Sequence, residues 1–119
     1  MRPARFVLVL WMVAACNSSP PGQPADPVKR FFQAVEAGDC NAATDTLSQA
    51  YHTELKQRNL PCDEYLETWR RFQFERVIET QIDGRNKQAH LVRAHIRGRQ
   101  TDSIMRVEAE DGQWRIFSM

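Results

Sequence analysis

Three histidines, three cysteines and a run of alternating arginines are the residues whose types and spacing suggest chemistry. His90 and His95 stand five apart in one extended segment. Regular alternation therefore sends them to opposite faces of a strand. Neither has a partner at metal-ligand spacing, and His52 is isolated. The chain has no HxH, CxxC or HExxH, so no metal site is expected. His90 is the weak candidate for catalysis, as a pocket acid or base working near neutral pH. The plainer reading is a partly exposed strand histidine. Arg93, His95 and Arg97 share one face of the same strand, with Arg106 on the next. They form a possible anion patch for a carboxylate or phosphate. The solvated outer face of a sheet gives the same pattern, with Glu79 and Glu108 as cross-strand partners. Asp83 and Asp102 fit turn chemistry better than catalysis. Tyr65, Trp69 and Trp114 can line an aromatic pocket or simply fill a core. No Gly-rich phosphate loop and no G-x-S-x-G occurs. Nucleotide binding and serine hydrolysis thus lack a motif, and no cofactor is expected.

The cysteines divide into one and two. Arg2 and Arg5 precede the uncharged run Phe6 to Ala15, and Cys16 follows at once. That run is shorter than the roughly 20 residues a bilayer span needs. A charged start, a short apolar stretch and small residues describe an export signal. Val13-Ala14-Ala15-Cys16 resembles the bacterial lipobox, with Val where Leu is commonest. The resemblance implies lipid on the Cys16 thiol, cleavage before Cys16 and acylation of the new amino group. It makes residues 1–15 a lipoprotein signal peptide and the membrane a partner through the anchor. By resemblance to enteric lipoproteins, Asn17 in place of Asp implies the outer membrane, periplasmic face, rather than the inner membrane. An ordinary secretory signal with a chance cysteine is the alternative. Cys40 and Cys62 remain, an even pair in an oxidising compartment, and read as a disulfide. A catalytic thiol would need a base beside it and would strand its neighbour.

Charge follows the same division. The chain has 16 basic residues; without Arg2 and Arg5, 14 face 15 acidic ones. There is no polybasic tail for nucleic acid or anionic lipid. Residues 16–25 are polar and Pro-rich, the composition of a tether.

The elements that must position these residues come next. Asp26-Pro27 reads as an N-cap followed by proline at the first helical position. Val28, Phe31, Phe32 and Val35 follow i, i+3, i+4, i+7 spacing, and Gly38 ends the helix, giving about 27–37. Asp39 or Asn41 caps a second helix with a stripe of Ala43, Leu47, Ala50, Tyr51 and Leu55, broken near Ser48. Asn59-Leu60-Pro61 interrupts it. A third spans about 61–71 and carries Cys62, Tyr65, Leu66 and Trp69. Strands follow over 74–83, 87–97, 103–110 and 114–118, with turns at Asp83-Gly84, Gly98 and Asp111-Gly112. Leu91 and Val92, adjacent and both apolar, leave the phase of the second strand open, and a bulge there would reconcile its faces.

Helices followed by one sheet make an α+β domain. Residues 28–40, VKRFFQAVEAGDC, resemble the first helix of the nuclear-transport-factor-2-like (cystatin-like) superfamily. Asp111-Gly112-Gln113-Trp114-Arg115-Ile116 resembles its closing hairpin and last strand. The resemblance covers residues 26–119. It implies a cone-like fold: N-terminal helices on a curved four-stranded antiparallel meander that can hold an apolar pocket. Steroid isomerases and dehydratases of that superfamily use an inward carboxylate and an oxyanion donor. No such pair is assignable here. The expected role is a non-catalytic envelope module binding a small apolar ligand or a partner protein. A small isomerase or dehydratase, and a structural accessory of the envelope, are the alternatives.

Overall fold

The helical layer is built on Gly38, whose left-handed backbone (φ 68°) lets its N–H and that of Asp39 reach back to Val35 and Ala34. The computed structural model describes residues 19–85 and 88–119. Among these residues four helices come first: α1 Asp26–Ala37, α2 Cys40–Asp45, α3 Gln49–Gln57 and α4 Cys62–Arg70. Four strands follow: β1 Gln73–Ile82, β2 Ala89–Arg97, β3 Ser103–Glu110 and β4 Gln113–Ser118. They form one antiparallel sheet in the order β1-β2-β3-β4, a meander with the helices against one face. Among the described residues no helix is long and apolar enough to cross a membrane.

Helix α1 buries Val28, Phe31, Phe32 and Val35, the stripe its spacing predicts. The helix begins one residue earlier than expected, and Asp26 is not its cap. Ala25 holds that position without a side-chain hydrogen bond. The Asp26 carboxylate instead accepts from the Gln23 N–H at 2.8 Å, in the turn before the helix. The chain thus joins the fold before Asp26. Ala25 is buried in the core, and the Trp114 indole N–H donates to the Gly22 carbonyl at 3.4 Å. Gly22 is specific to that turn: φ is +83°, and a Cβ would lie 2.6 Å from the Asp26 carboxylate.

The break at Ser48 separates two helices with their own caps. Asp39 accepts from the Ala42 N–H and Ser48 from the Tyr51 N–H, each at 3.1 Å. Restarting at Gln49 resets the helical phase. Tyr51 and Leu55 point inward while Ala50, expected in the stripe, is exposed. The break also closes the sheet's margin. The Ser48 N–H donates to Ile116, and the Ile116 N–H donates to Thr46, both at 2.8 Å. Cys40 and Cys62 form a disulfide with Cα atoms 5.9 Å apart, joining the starts of α2 and α4.

The sheet departs from expectation in its irregularities. Strand β2 is regular: it pairs with β3 without a shift from Ala89↔Glu108 to Ala94↔Ser103. The shifts lie in β1, between Phe74 and Arg76 and between Val77 and Glu79, and at Arg106/Val107. Val92, Ala94 and Ile96 enter the core, and Leu91 goes to the other face, where Ile104 accompanies it. Both of the adjacent apolar residues are accommodated because each face holds apolar side chains, so no bulge is needed. Asp83-Gly84 is not a two-residue hairpin. The Asp83 N–H donates to Ala89 at 2.9 Å, and its carboxylate accepts from the Arg85 N–H. Lys87, the expected start of the strand, lies outside the described residues. At Asp111-Gly112 both residues have positive φ (52° and 75°), the tight hairpin their types favour.

Candidate functional site

A site on the helix-facing side of the sheet lies where the incoming chain crosses it. A cleft of about 490 Å³ runs between the start of α1 and the strands. Val77, Thr80 and Ile82 of β1 and His90 of β2 line one wall; Pro24, Ala25 and Lys29 line the other. Strand pairing explains the grouping. Ile82 faces His90 and Thr80 faces Val92, so alternation carries His90 to the same face as the core residues Val92, Ala94 and Ile96. The His90 ring meets Trp114 edge to face at 5.0 Å. Trp114 borders a second cleft of about 460 Å³ with Pro21, Lys29, Arg30 and Gln33.

His90 Nδ1 is buried and has no hydrogen-bond partner among the described residues. A histidine acting as general base in a triad-like site is oriented by a third group on its other nitrogen. Asp26 lines the same cleft, but its carboxylate is committed to the Gln23 N–H. The arrangement is therefore one imidazole on an apolar wall, able to accept or donate one hydrogen bond. It contains no assembled acid–base pair.

Phe31, Leu47, Ile96, Met105 and Ile116 are fully buried between the layers. Phe32 stacks on Phe74 at 5.2 Å and meets Trp69 edge to face at 5.6 Å. Tyr65 and Trp69 belong to this core, whereas Trp114 is half-buried at the cleft. The buried hydroxyls of Tyr51 and Tyr65 hydrogen-bond to each other. Burial pushes both phenols above their ordinary range, and the Tyr51–Tyr65 interaction raises Tyr65 further. Both stay protonated, and neither lines the cleft.

Arg93, His95, Arg97 and Arg106 share the outer face, each beside a carboxylate. Arg93 meets Glu79 at 2.9 Å and Arg97 meets Glu75 at 2.9 Å. His95 lies 3.2 Å from Asp102 and 3.9 Å from Glu75. Arg106 bridges Asp83 at 2.8 Å and Glu108 at 3.0 Å. The two carboxylates hold the Arg106 guanidinium more firmly protonated than usual. An incoming anion would have to displace these partners. Every side chain of the row has a carboxylate beside it, the pattern of a solvated sheet face. Between them lies a small apolar hollow lined by Leu91 and Ile104; Ile104 is 56% exposed.

His52 Nε2 donates to the Thr44 carbonyl at 2.8 Å, tying α3 to α2. The disulfide commits both Cys40 and Cys62, so neither is a free thiol. Cys16 lies outside the described residues. Among those described, no group of three or more His, Cys, Asp or Glu stands together as a metal site. Sequence reasoning missed the Trp114 contact with Gly22 and the Arg99 guanidinium over Trp69 and Phe72, at 5.1 and 5.0 Å. Both join residues far apart in sequence, and no local pattern signals them. Comparison with known proteins finds no matching family model, no matching curated protein and no matching solved structure.

Proposed function

We propose that this chain is a bacterial envelope lipoprotein whose folded domain docks a partner protein and performs no catalysis. In this reading residues 1–15 are removed, Cys16 carries the lipid, and the tether leads to a nuclear-transport-factor-2-like domain. The protein sits on the periplasmic face of the outer membrane. The lipobox-like Val13-Ala14-Ala15-Cys16 and the Cys40–Cys62 bridge, which suits an oxidising compartment, support the address. Helices packed on a four-stranded meander suit the family.

The observation that carries the docking reading is the packing of large side chains between helices and sheet. Where a cone-shaped ligand carrier needs a cavity, Phe31, Leu47, Met105 and Ile116 occupy the space. Apolar side chains are instead left exposed, Ile104 on the outer face (56%) and Ile82 at the helix-facing cleft (61%). Two measurements test the proposal. Cys16→Ser should move the protein from membranes to the soluble fraction, and continued tight association would refute the anchor. A photo-crosslinking residue at position 104, in intact cells, should give one discrete protein adduct. Its absence, with an apolar molecule co-purifying in native mass spectrometry, would favour the second reading. That second reading is a small apolar ligand in the His90 cleft, where Val77, Ile82 and Pro24 supply an apolar wall.

A further inference from the structure

The tether does not end where its composition ends. From Gly22 onward the chain is held by three contacts: Trp114 to the Gly22 carbonyl, Gln23 to the Asp26 carboxylate, and Ala25 in the core. Only six residue steps separate Gly22 from Cys16. Fully extended, six residues span at most about 20 Å. The point where the chain becomes fixed therefore stays close to the lipid. What surrounds it is one end of the sheet, with the half-buried ring of Trp114 and the exposed side chain of Ile82.

We propose that this end of the domain rests on the bilayer, with Trp114 and Ile82 at the level of the lipid headgroups. The proposal rests on the reading of Cys16 as the lipidated residue. Tryptophan is suited to that depth, since its ring is apolar and its indole N–H polar. Charge does not drive the contact. Lys29 and Arg30 beside the Trp114 cleft are offset by Glu110 and Asp111 in the adjoining hairpin. The surface therefore takes neutral phospholipid. Its orientation leaves the outer face of the sheet, with Ile104, free for a partner.

The mature chain offers a direct test. With Cys40 and Cys62 bridged, Cys16 is its one free thiol and couples to a maleimide lipid in phosphatidylcholine vesicles. Trp69 and Trp114 are its two tryptophans, and Trp69 is buried. Headgroup spin-labelled phosphatidylcholine should lower Trp114 emission by roughly twofold, as for an interfacial ring. The Trp114→Phe chain, left with Trp69, should be little quenched. Inserting twenty Gly/Ser residues between Pro20 and Pro21 should restore most of the emission. Equal quenching with and without the insertion would overturn the proposal, as would quenching of Trp114 no greater than that of Trp69. Because the lipid is attached chemically, this result does not depend on acylation in the cell. Failure of the anchor appears separately, as an undiminished membrane fraction for Cys16→Ser.

Discussion

The tyrosine pair shows most clearly how single residues set the behaviour of this domain. Tyr51 and Tyr65 each satisfy the other's buried hydroxyl. Tyr65→Phe leaves Tyr51 with a buried hydroxyl that has lost its partner. That change should cost about 1–3 kcal/mol. The double change to Phe should recover much of the loss, giving a coupling readable by urea denaturation. The pair also predicts an alkaline limit. Its phenols titrate higher in the folded chain than in the unfolded one, because burial disfavours the phenolate. Their contribution is complete below pH 10, the unfolded value. It is lost as the pH rises beyond that, since only the unfolded chain releases the protons there. Denaturation followed between pH 9 and 12 should show stability falling in the native chain. The fall should be shallower in the double Phe variant; equal slopes would refute the assignment. His90 was legible as a candidate but its face was not, because the adjacent apolar Leu91 and Val92 leave the phase of β2 open. Nor was its contact with Trp114 legible, because pairing across β2, β3 and β4 carries it.

Among the elements, α1 and the Asp111-Gly112 hairpin were the most legible. Each is decided locally, by the spacing of Val28, Phe31, Phe32 and Val35 or by two residues that tolerate positive φ. Strand β1 was harder to read. Its two register shifts send Phe74, Val77, Thr80 and Ile82 inward out of strict alternation, leaving Ile78 outside. The same shifts hid Glu75 as the partner of Arg97, whereas Glu79, directly opposite Arg93, was readable. Helix α3 depends on its cap. Ser48→Ala removes the acceptor for the Tyr51 N–H and should lower stability by about 1 kcal/mol. The disulfide closes a loop over a sequence separation of 22. Replacing both Cys40 and Cys62 by Ser should cost about 3 kcal/mol on the loop-entropy argument. A reduced native chain should lose a comparable amount, seen as a lower thermal midpoint with a reducing agent present.

For the whole molecule, the division into helices then sheet was readable because the period of the apolar residues changes from helical to alternating after Arg71. The way the layers close on one another was not. It depends on Leu47 lying beside Ile116, on Arg99 over Trp69, and on Gly22 beneath Trp114. These contacts are made only after the elements have met. They determine how the layers close and where the incoming chain is fixed.

The crossing of Thr46, Leu47 and Ser48 over β4 has a consequence for crowding. Strand addition needs an unpaired margin, and open-ended growth needs two of them on every molecule. Here Ile116 on the far margin is already engaged, so β1 is the side left to accept a foreign strand. Two neighbours meeting through β1 would each use their remaining edge, and association would stop at a pair. Were the proposed Cys16 lipid to concentrate the protein in two dimensions, the engaged β4 margin would act as a terminator against fibres.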